Sequence, residues 1–308
     1  MGIYSESHSK SRRDFLQAVA AMGLGAVALG LPVASLGAST EASLKSKVNA
    51  YIRGLRRKGR IEPDEETSWS VYDFTTSAKL VSINEDIPRQ AASMIKPFVA
   101  QAYFYRHRAA PSRYPYSAEV ERLMTRMICH SDNRATNELI ARTSTKPRSE
   151  RPKEVERVLR RNAEGIFREV EIVEYIPRGG RTYRNKASAR DYSRFLYAMW
   201  KDQLPQAEQM KYLLGLPNRD RIRPGSDSVA QPIAVLDKTG STAHLCGNMG
   251  IVVAQGSDGK EYPYTMIGII QKRARPRGYG RWIRSRGNVI REVSELVYTE
   301  LRQLHSLV

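Results

Sequence analysis

Apolar positions change their period several times along this chain, and each change marks an element. Leu44, Val48, Tyr51, Ile52 and Leu55 recur at three- and four-residue spacing among lysines and arginines. That spacing predicts an amphipathic helix over 42–60. The run Arg56-Arg57-Lys58-Gly59-Arg60 supplies its basic last turn and a stop. The pattern then alternates over 69–74, as a strand would, and 79–83 reads as its hairpin partner. From Ser93 a helical period returns through Met94, Ile95, Phe98, Val99, Ala102 and Tyr103. Further helices are predicted over 118–128, 133–140, 152–161 and 189–200, with an alternating, strand-like stretch at 169–175. Near the C-terminus three strands read at 235–246, 249–254 and 264–272, the last two joined by the turn Ser257-Asp258-Gly259-Lys260. An amphipathic helix over 288–307 closes the chain.

This order is helix, strands, many helices, three strands, helix. It predicts an α+β fold, an antiparallel five-stranded sheet with N- and C-terminal helices and an inserted all-helical part. The expected division is 1–38 as an export signal and 41–308 as one domain. Within it, 41–90 and 215–308 would bear the sheet, and 91–214 would be mostly helical.

A chain of 308 residues, 41% apolar and 27% charged, can bury a substantial core, so wholesale disorder is excluded. The formal charge of +18 favours anionic surroundings such as a cell envelope. Its basic residues are scattered, with no zinc-ligand spacing and no aromatic RNA-binding motif, so nucleic acid is not the expected partner. The five histidines are isolated from one another, and no metal or cofactor is expected. Cys129 and Cys246 both flank motif-bearing segments. One bridge between them is open in an oxidising compartment, although two separate buried thiols are the simpler expectation.

At the N-terminus, Ser11-Arg12-Arg13-Asp14-Phe15-Leu16 precedes a weakly apolar, glycine- and alanine-rich run to Leu31. Paired arginines before such a run resemble a twin-arginine export signal, too short and glycine-rich for a comfortable membrane span. The expectation is a periplasmic or secreted protein delivered by the twin-arginine machinery, with retention as an uncleaved anchor left open. Residues 1–38 carry three basic and two acidic side chains, so cleavage would leave the positive charge almost intact.

Three short motifs carry the candidate chemistry: Ser93-Met94-Ile95-Lys96, Ser131-Asp132-Asn133 and Lys238-Thr239-Gly240. Alone, the first is a common helix pattern, the second a helix cap and the third a strand end. Together they supply a nucleophile, a base and a carboxylate site. Ser93 and Lys96 stand three residues apart on one helix face. A serine hydroxyl needs a base to take its proton, and a lysine depressed by burial and by a second cation can be that base. Lys238, from a facing strand, would be the second cation. Ser131 could relay a proton to a leaving nitrogen, while Asn133 binds a substrate amide and Asp132 braces the loop. Thr239 would bind a substrate carboxylate and Gly240 would let the backbone lie close. The backbone N–H groups of Ser93 and Ser241 would form an oxyanion hole, where a lost donor costs about 3–4 kcal/mol.

On these residues the chain resembles the penicillin-recognising serine hydrolases, most of all the class A β-lactamases. The resemblance runs through residues 90–96, Ser131 to Asn137 and Asp237 to Ser241, with a weaker echo at 187–192. It implies Ser93 as the acylated residue, Lys96, Ser131 and Lys238 as proton-transfer partners, and a cleft between a sheet-bearing and a helical part. Two departures follow. The Ω-loop element Glu-x-x-Leu-Asn, whose glutamate activates the deacylating water, has no counterpart between Asn133 and Ser188, although Glu164, Glu169, Glu171 and Glu174 lie in that stretch. The connection from Lys96 to Ser131 is also short, which predicts a different cleft wall. The expected function is acyl-enzyme formation on Ser93 with a β-lactam or related carboxylate-bearing amide. The rivals are a D-Ala-D-Ala carboxypeptidase acting on peptidoglycan stem peptides and an idle protein that binds the envelope.

Overall fold

The structure is a computed structural model that describes residues 33–224 and 232–308, with side chains from Leu44 onward. The export signal read at 1–38 lies mostly outside the described residues; positions 33–38 begin the first helix.

That helix, α1 (Val33–Arg57), buries Leu44, Val48, Ile52 and Leu55 along one stripe. It ends where Gly59 takes φ +66° and the Gly59 and Arg60 amides bond back to Arg56 and Leu55 carbonyls. Strands β1 (Glu65–Asp73) and β2 (Ala78–Ile83) follow as a hairpin. A two-residue strand β3 (Arg89–Gln90) leads into a 3₁₀ turn, Ala92–Ile95. The helical stretch comprises α2 (Lys96–Ala109), α3 (Ala118–Cys129), α4 (Asn133–Thr143), α5 (Arg151–Ala163), α6 (Ala189–Trp200) and α7 (Ala207–Gly215), with a short strand β4 (Lys186–Ala187) pairing with β3. Strands β5 (Ala234–Ser241), β6 (Leu245–Gln255) and β7 (Glu261–Lys272) precede the last helix, α8 (Tyr279–His305).

The main sheet has the order β2-β1-β7-β6-β5, antiparallel throughout, which is the α+β architecture the hydropathy pattern predicts. Alternation sorts its side chains to two cores. Cys246, Val252, Met266 and Ile270 face α1 and α8. Leu245, Met249, Ile251, Ile267 and Ile269 face the helical part, where Phe98 packs against Phe167, Tyr192 and Phe195.

Four expectations are corrected. The strand read at 235–246 stops at Ser241, because Thr242 turns the chain by bonding to Leu245 and His244, so Cys246 belongs to β6. The alternation at 169–175 forms no strand beyond one bridge, Glu171 to Lys186. Its amides are taken by side chains instead: Asp191 accepts from Arg168 and Glu169, and Asn185 from Val173 and Glu174. The α-helix begins at Lys96 rather than Ser93, with Pro97 in its first turn, where a missing N–H costs nothing. Finally, α7 had no sequence expectation, and α8 starts nine residues before 288.

Candidate active site

Ser93 sits in the 3₁₀ turn that precedes α2, and the turn is held by the sheet. The buried Met94 fills a hollow left by two glycines: an added Cβ at Gly240 would meet Met94 Cγ at 3.0 Å, and one at Gly247 would meet Cε at 2.6 Å. On the other side the Ala91 amide donates to the Asn185 carbonyl at 2.8 Å. Ala92, between these supports, takes φ +48°, a left-handed conformation costly for a residue with a Cβ. The strain aims Ser93 into a cleft of about 410 Å³ that Ser131, Asn133 and Ser241 also line.

Lys96 opens α2 with its side chain fully buried. Its Nζ donates to the Ser131 carbonyl, to Ser131 Oγ at 3.1 Å and to Asn133 Oδ1 at 2.9 Å. Burial, reinforced by the positive Lys238 and partly offset by Asp132, lowers this ammonium to about 7. A neutral amine is then abundant near neutrality, touching one serine hydroxyl three residues from another. Ser131 itself has φ +56°. It is kept there by Asp132, which caps α4 by accepting from the Arg134 and Ala135 amides and pairs with Arg126. Asp132 therefore braces the loop, as its place before a helix suggests.

The third motif lies on β5, the sheet edge beside the Ser93 turn. Lys238 is buried, and its Nζ reaches the Thr239 carbonyl at 3.3 Å. Burial lowers it to about 8; Asp237 pulls it up and Arg221 pushes it further down. Asp237 is itself raised to about 6 by burial, although Asn248 and Asn218 each donate to it at 2.8 Å. Gly240 lies under Met94 and Ala92, and Ser241 enters the cleft. Thr239 is half-buried on the same strand and does not line the cavity.

Arg221 escaped the sequence reading. Its guanidinium donates to the Gly240 carbonyl at 2.9 Å, the Gly247 carbonyl at 2.7 Å and Ser241 Oγ at 2.7 Å, so a third cation stands behind the last motif. It comes from an irregular segment with no periodicity, and only its density of arginines could have drawn attention.

The loop between α5 and α6 forms the remaining wall, contributing Ile176, Gly179, Gly180, Arg181, Thr182 and Tyr183. None of the four glutamates of this region faces the cleft. Glu164 and Glu169 are exposed, and Glu171 pairs with Lys186 at 3.6 Å. Glu174 Oε1 accepts from Thr182 Oγ1 and from the Tyr183 and Arg184 amides, all within 3.1 Å, and so staples the loop to itself. No Asp or Glu is among the residues lining the cleft. Ile176, almost fully buried, is the one aliphatic side chain that this loop gives to the lining.

The two thiols are separate. Cys129 Sγ contacts the Pro217 carbonyl and Cys246 Sγ the Ile283 carbonyl, so the bridge left open by the sequence is not formed. Among the described residues no three metal-ligating side chains gather.

Residues 108–301 match the profile of the β-lactamase enzyme family. No curated protein matches the chain. Among solved structures, PBP-A carrying a leucine-to-glutamate substitution, as an acyl-enzyme complex with penicillin G, superposes with a TM-score of 0.64 at 16% identity over 85% of this chain and 97% of that one. The TLA-1 extended-spectrum β-lactamase gives 0.64 at 13% identity over 85% and 99%. A β-lactamase from Chitinophaga pinensis DSM 2588 gives 0.64 at 13% identity over 84% and 99%.

Proposed function

Because this chain belongs to the β-lactamase enzyme family, we propose that it is an exported serine hydrolase whose Ser93 is acylated by a carboxylate-bearing amide or β-lactam and released slowly. One observation carries the reading: a buried lysine amine bonded to Ser131 and Asn133, both of which line the same cleft as Ser93, a cleft whose lining contains no carboxylate.

The chemistry follows from the residue types. Neutral Lys96 takes the Ser93 proton as Oγ attacks the substrate carbonyl. The oxyanion that forms is held by the backbone N–H groups of Ser93 and Ser241. When the carbon–nitrogen bond breaks, the Ser131 hydroxyl passes a proton to the leaving nitrogen and is reprotonated from Lys96. Lys238 and Thr239 hold the substrate carboxylate, with Arg221 adding charge behind Ser241. Asn133 binds the substrate amide.

Hydrolysis of the ester then needs a base for water, and no carboxylate lines the cleft to supply one. This favours a penicillin-binding, peptidase-like enzyme acting on peptidoglycan stem peptides over an efficient antibiotic-degrading one. Export through the twin-arginine route, with the mature protein in the periplasm or outside the cell, belongs to the same proposal. A protein that only binds the envelope would form no adduct.

Intact-mass spectrometry of the protein mixed with benzylpenicillin, beside Ser93→Ala, tests the reading. A drug-sized adduct on the wild type alone, persisting for minutes or longer, is expected. No adduct at any time would sink it.

A further inference from the structure

The mouth of the cleft carries more positive charge than one carboxylate requires. Arg181, from the loop between α5 and α6, and Arg275, from the connection of β7 to α8, both line the cavity that holds Ser93. Both are exposed, and neither has an ion-pair partner among the described residues. No acid lines the cavity to neutralise them. Arg275 also borders a neighbouring groove with Arg277 and Arg281, where the one acid, Glu62, is already engaged by Lys272 at 2.6 Å and Arg286 at 3.1 Å. Some arginines of this chain are held by carboxylates, as Arg142 is by Glu119 and Glu138, and Arg190 by Glu85 and Asp86, whereas Arg181 and Arg275 are left to the cavity. Two guanidiniums without ion-pair partners thus line one cavity that holds no acid, and each offers donors in a fork that matches an oxyanion.

This site is separate from the one deeper in. Lys238 is buried, and Arg221 is occupied by Gly240, Gly247 and Ser241. In the proposed reaction those cations serve a single carboxylate. The mouth is therefore free for a second negative group on the same molecule.

We propose that the cleft selects substrates carrying a further anionic group beside the carboxylate held by Lys238 and Thr239, and that Arg181 and Arg275 bind it. The substrate class is a polyanionic acyl donor, such as a peptide with a free side-chain carboxylate. The inference rests on the proposed acyl-transfer reading only in assuming that the substrate enters this cleft.

Binding without chemistry tests it. In Ser93→Ala protein, calorimetry compares carbenicillin, with two carboxylates, and benzylpenicillin, with one. Carbenicillin should bind about fivefold tighter, the scale of a charge-assisted contact discounted for solvent. The preference should shrink in about 0.5 M salt, where exposed charges are screened. It should vanish when Arg181→Gln and Arg275→Gln are added, and survive the pair Arg181→Lys and Arg275→Lys. Equal affinities, no measurable carbenicillin binding, or a preference that persists in the glutamine variant would each overturn the proposal. Carbenicillin preference in a chain whose wild type forms no adduct would remove the acyl-transfer reading and leave anion selection standing. An adduct without the preference would do the reverse.

Discussion

Asn137 grips Ile176 by both sides of its backbone: the asparagine Oδ1 accepts from the Ile176 N–H at 2.8 Å, and its Nδ2 donates to the Ile176 carbonyl at 2.9 Å. This pair ties the loop between α5 and α6 to α4, four residues beyond Asn133. It fixes an apolar side chain in the wall of the cleft, and we propose this position as the one from which a water-activating group would act.

Ile176→Glu should therefore add the missing base without moving the backbone. The penicillin adduct should shorten its lifetime by at least about tenfold, within the usual range for a positioned general base. Glu174→Gln should leave the lifetime unchanged, since that carboxylate is engaged by its own loop. Time-resolved intact-mass measurements read both. An adduct equally long-lived in Ile176→Glu would refute the assignment of this wall.

The pH dependence of acylation should follow the coupled lysines. Lys96 is lowered to about 7, so its neutral fraction, and the second-order acylation constant, should rise as pH passes through 7. Lys238, lowered to about 8, then loses its charge, and carboxylate binding weakens above that. The two limbs belong to the pair rather than to either residue. Lys238→Ala removes a charge that depresses Lys96, so the rising limb should move to higher pH. A stopped-flow profile in which it stays put or moves down would contradict the coupling.

Asp132→Ala removes the α4 cap and the partner of Arg126. Denaturant unfolding should show a loss of about 1–2 kcal/mol, the range for an N-cap carboxylate. Acylation should fall as well, because Ser131 keeps its left-handed backbone only while that loop is braced.

Gly240→Ala would place a methyl 3.0 Å from Met94 Cγ and 3.2 Å from Ala92 Cβ. The turn carrying Ser93 must give way by a few tenths of an ångström, and acylation should slow by at least about tenfold, since small misplacements are costly in a positioned site. The melting temperature should fall little, because the rest of β5 keeps its pairing with β6. A variant that acylates normally would show that the turn tolerates the displacement.

The parts of this molecule legible in its sequence are those where one local rule suffices. The sheet and the terminal helices declare themselves through the continuous apolar run at Met266 to Ile270 and a stripe at Val289, Val293, Val297 and Leu301. The three motifs declare themselves by residue type and order. What stayed hidden depends on contacts between distant segments. The stretch 169–175 alternates like a strand, yet Asp191, Glu156 and Asn185 take the amide hydrogen bonds that a ladder would need. Arg221 and Ile176 carry no local signal, because one is defined by carbonyls of β5 and β6 and the other by Asn137. The 3₁₀ turn at Ser93 depends on space that Gly240 and Gly247 leave in remote strands.

The pairing of β1 with β7, from opposite ends of the chain, also governs how the molecule is assembled. Glu65 must meet Lys272, and Lys238 must meet Lys96, before any cleft exists. Such non-local closure slows folding relative to helical proteins of similar stability. A chain halted anywhere before β5 lacks the wall on which the Ser93 turn rests, so it would present no pocket for a penicillin. Covalent capture sampled at intervals after dilution from denaturant would then count finished molecules, and its time course would measure the arrival of the last strands.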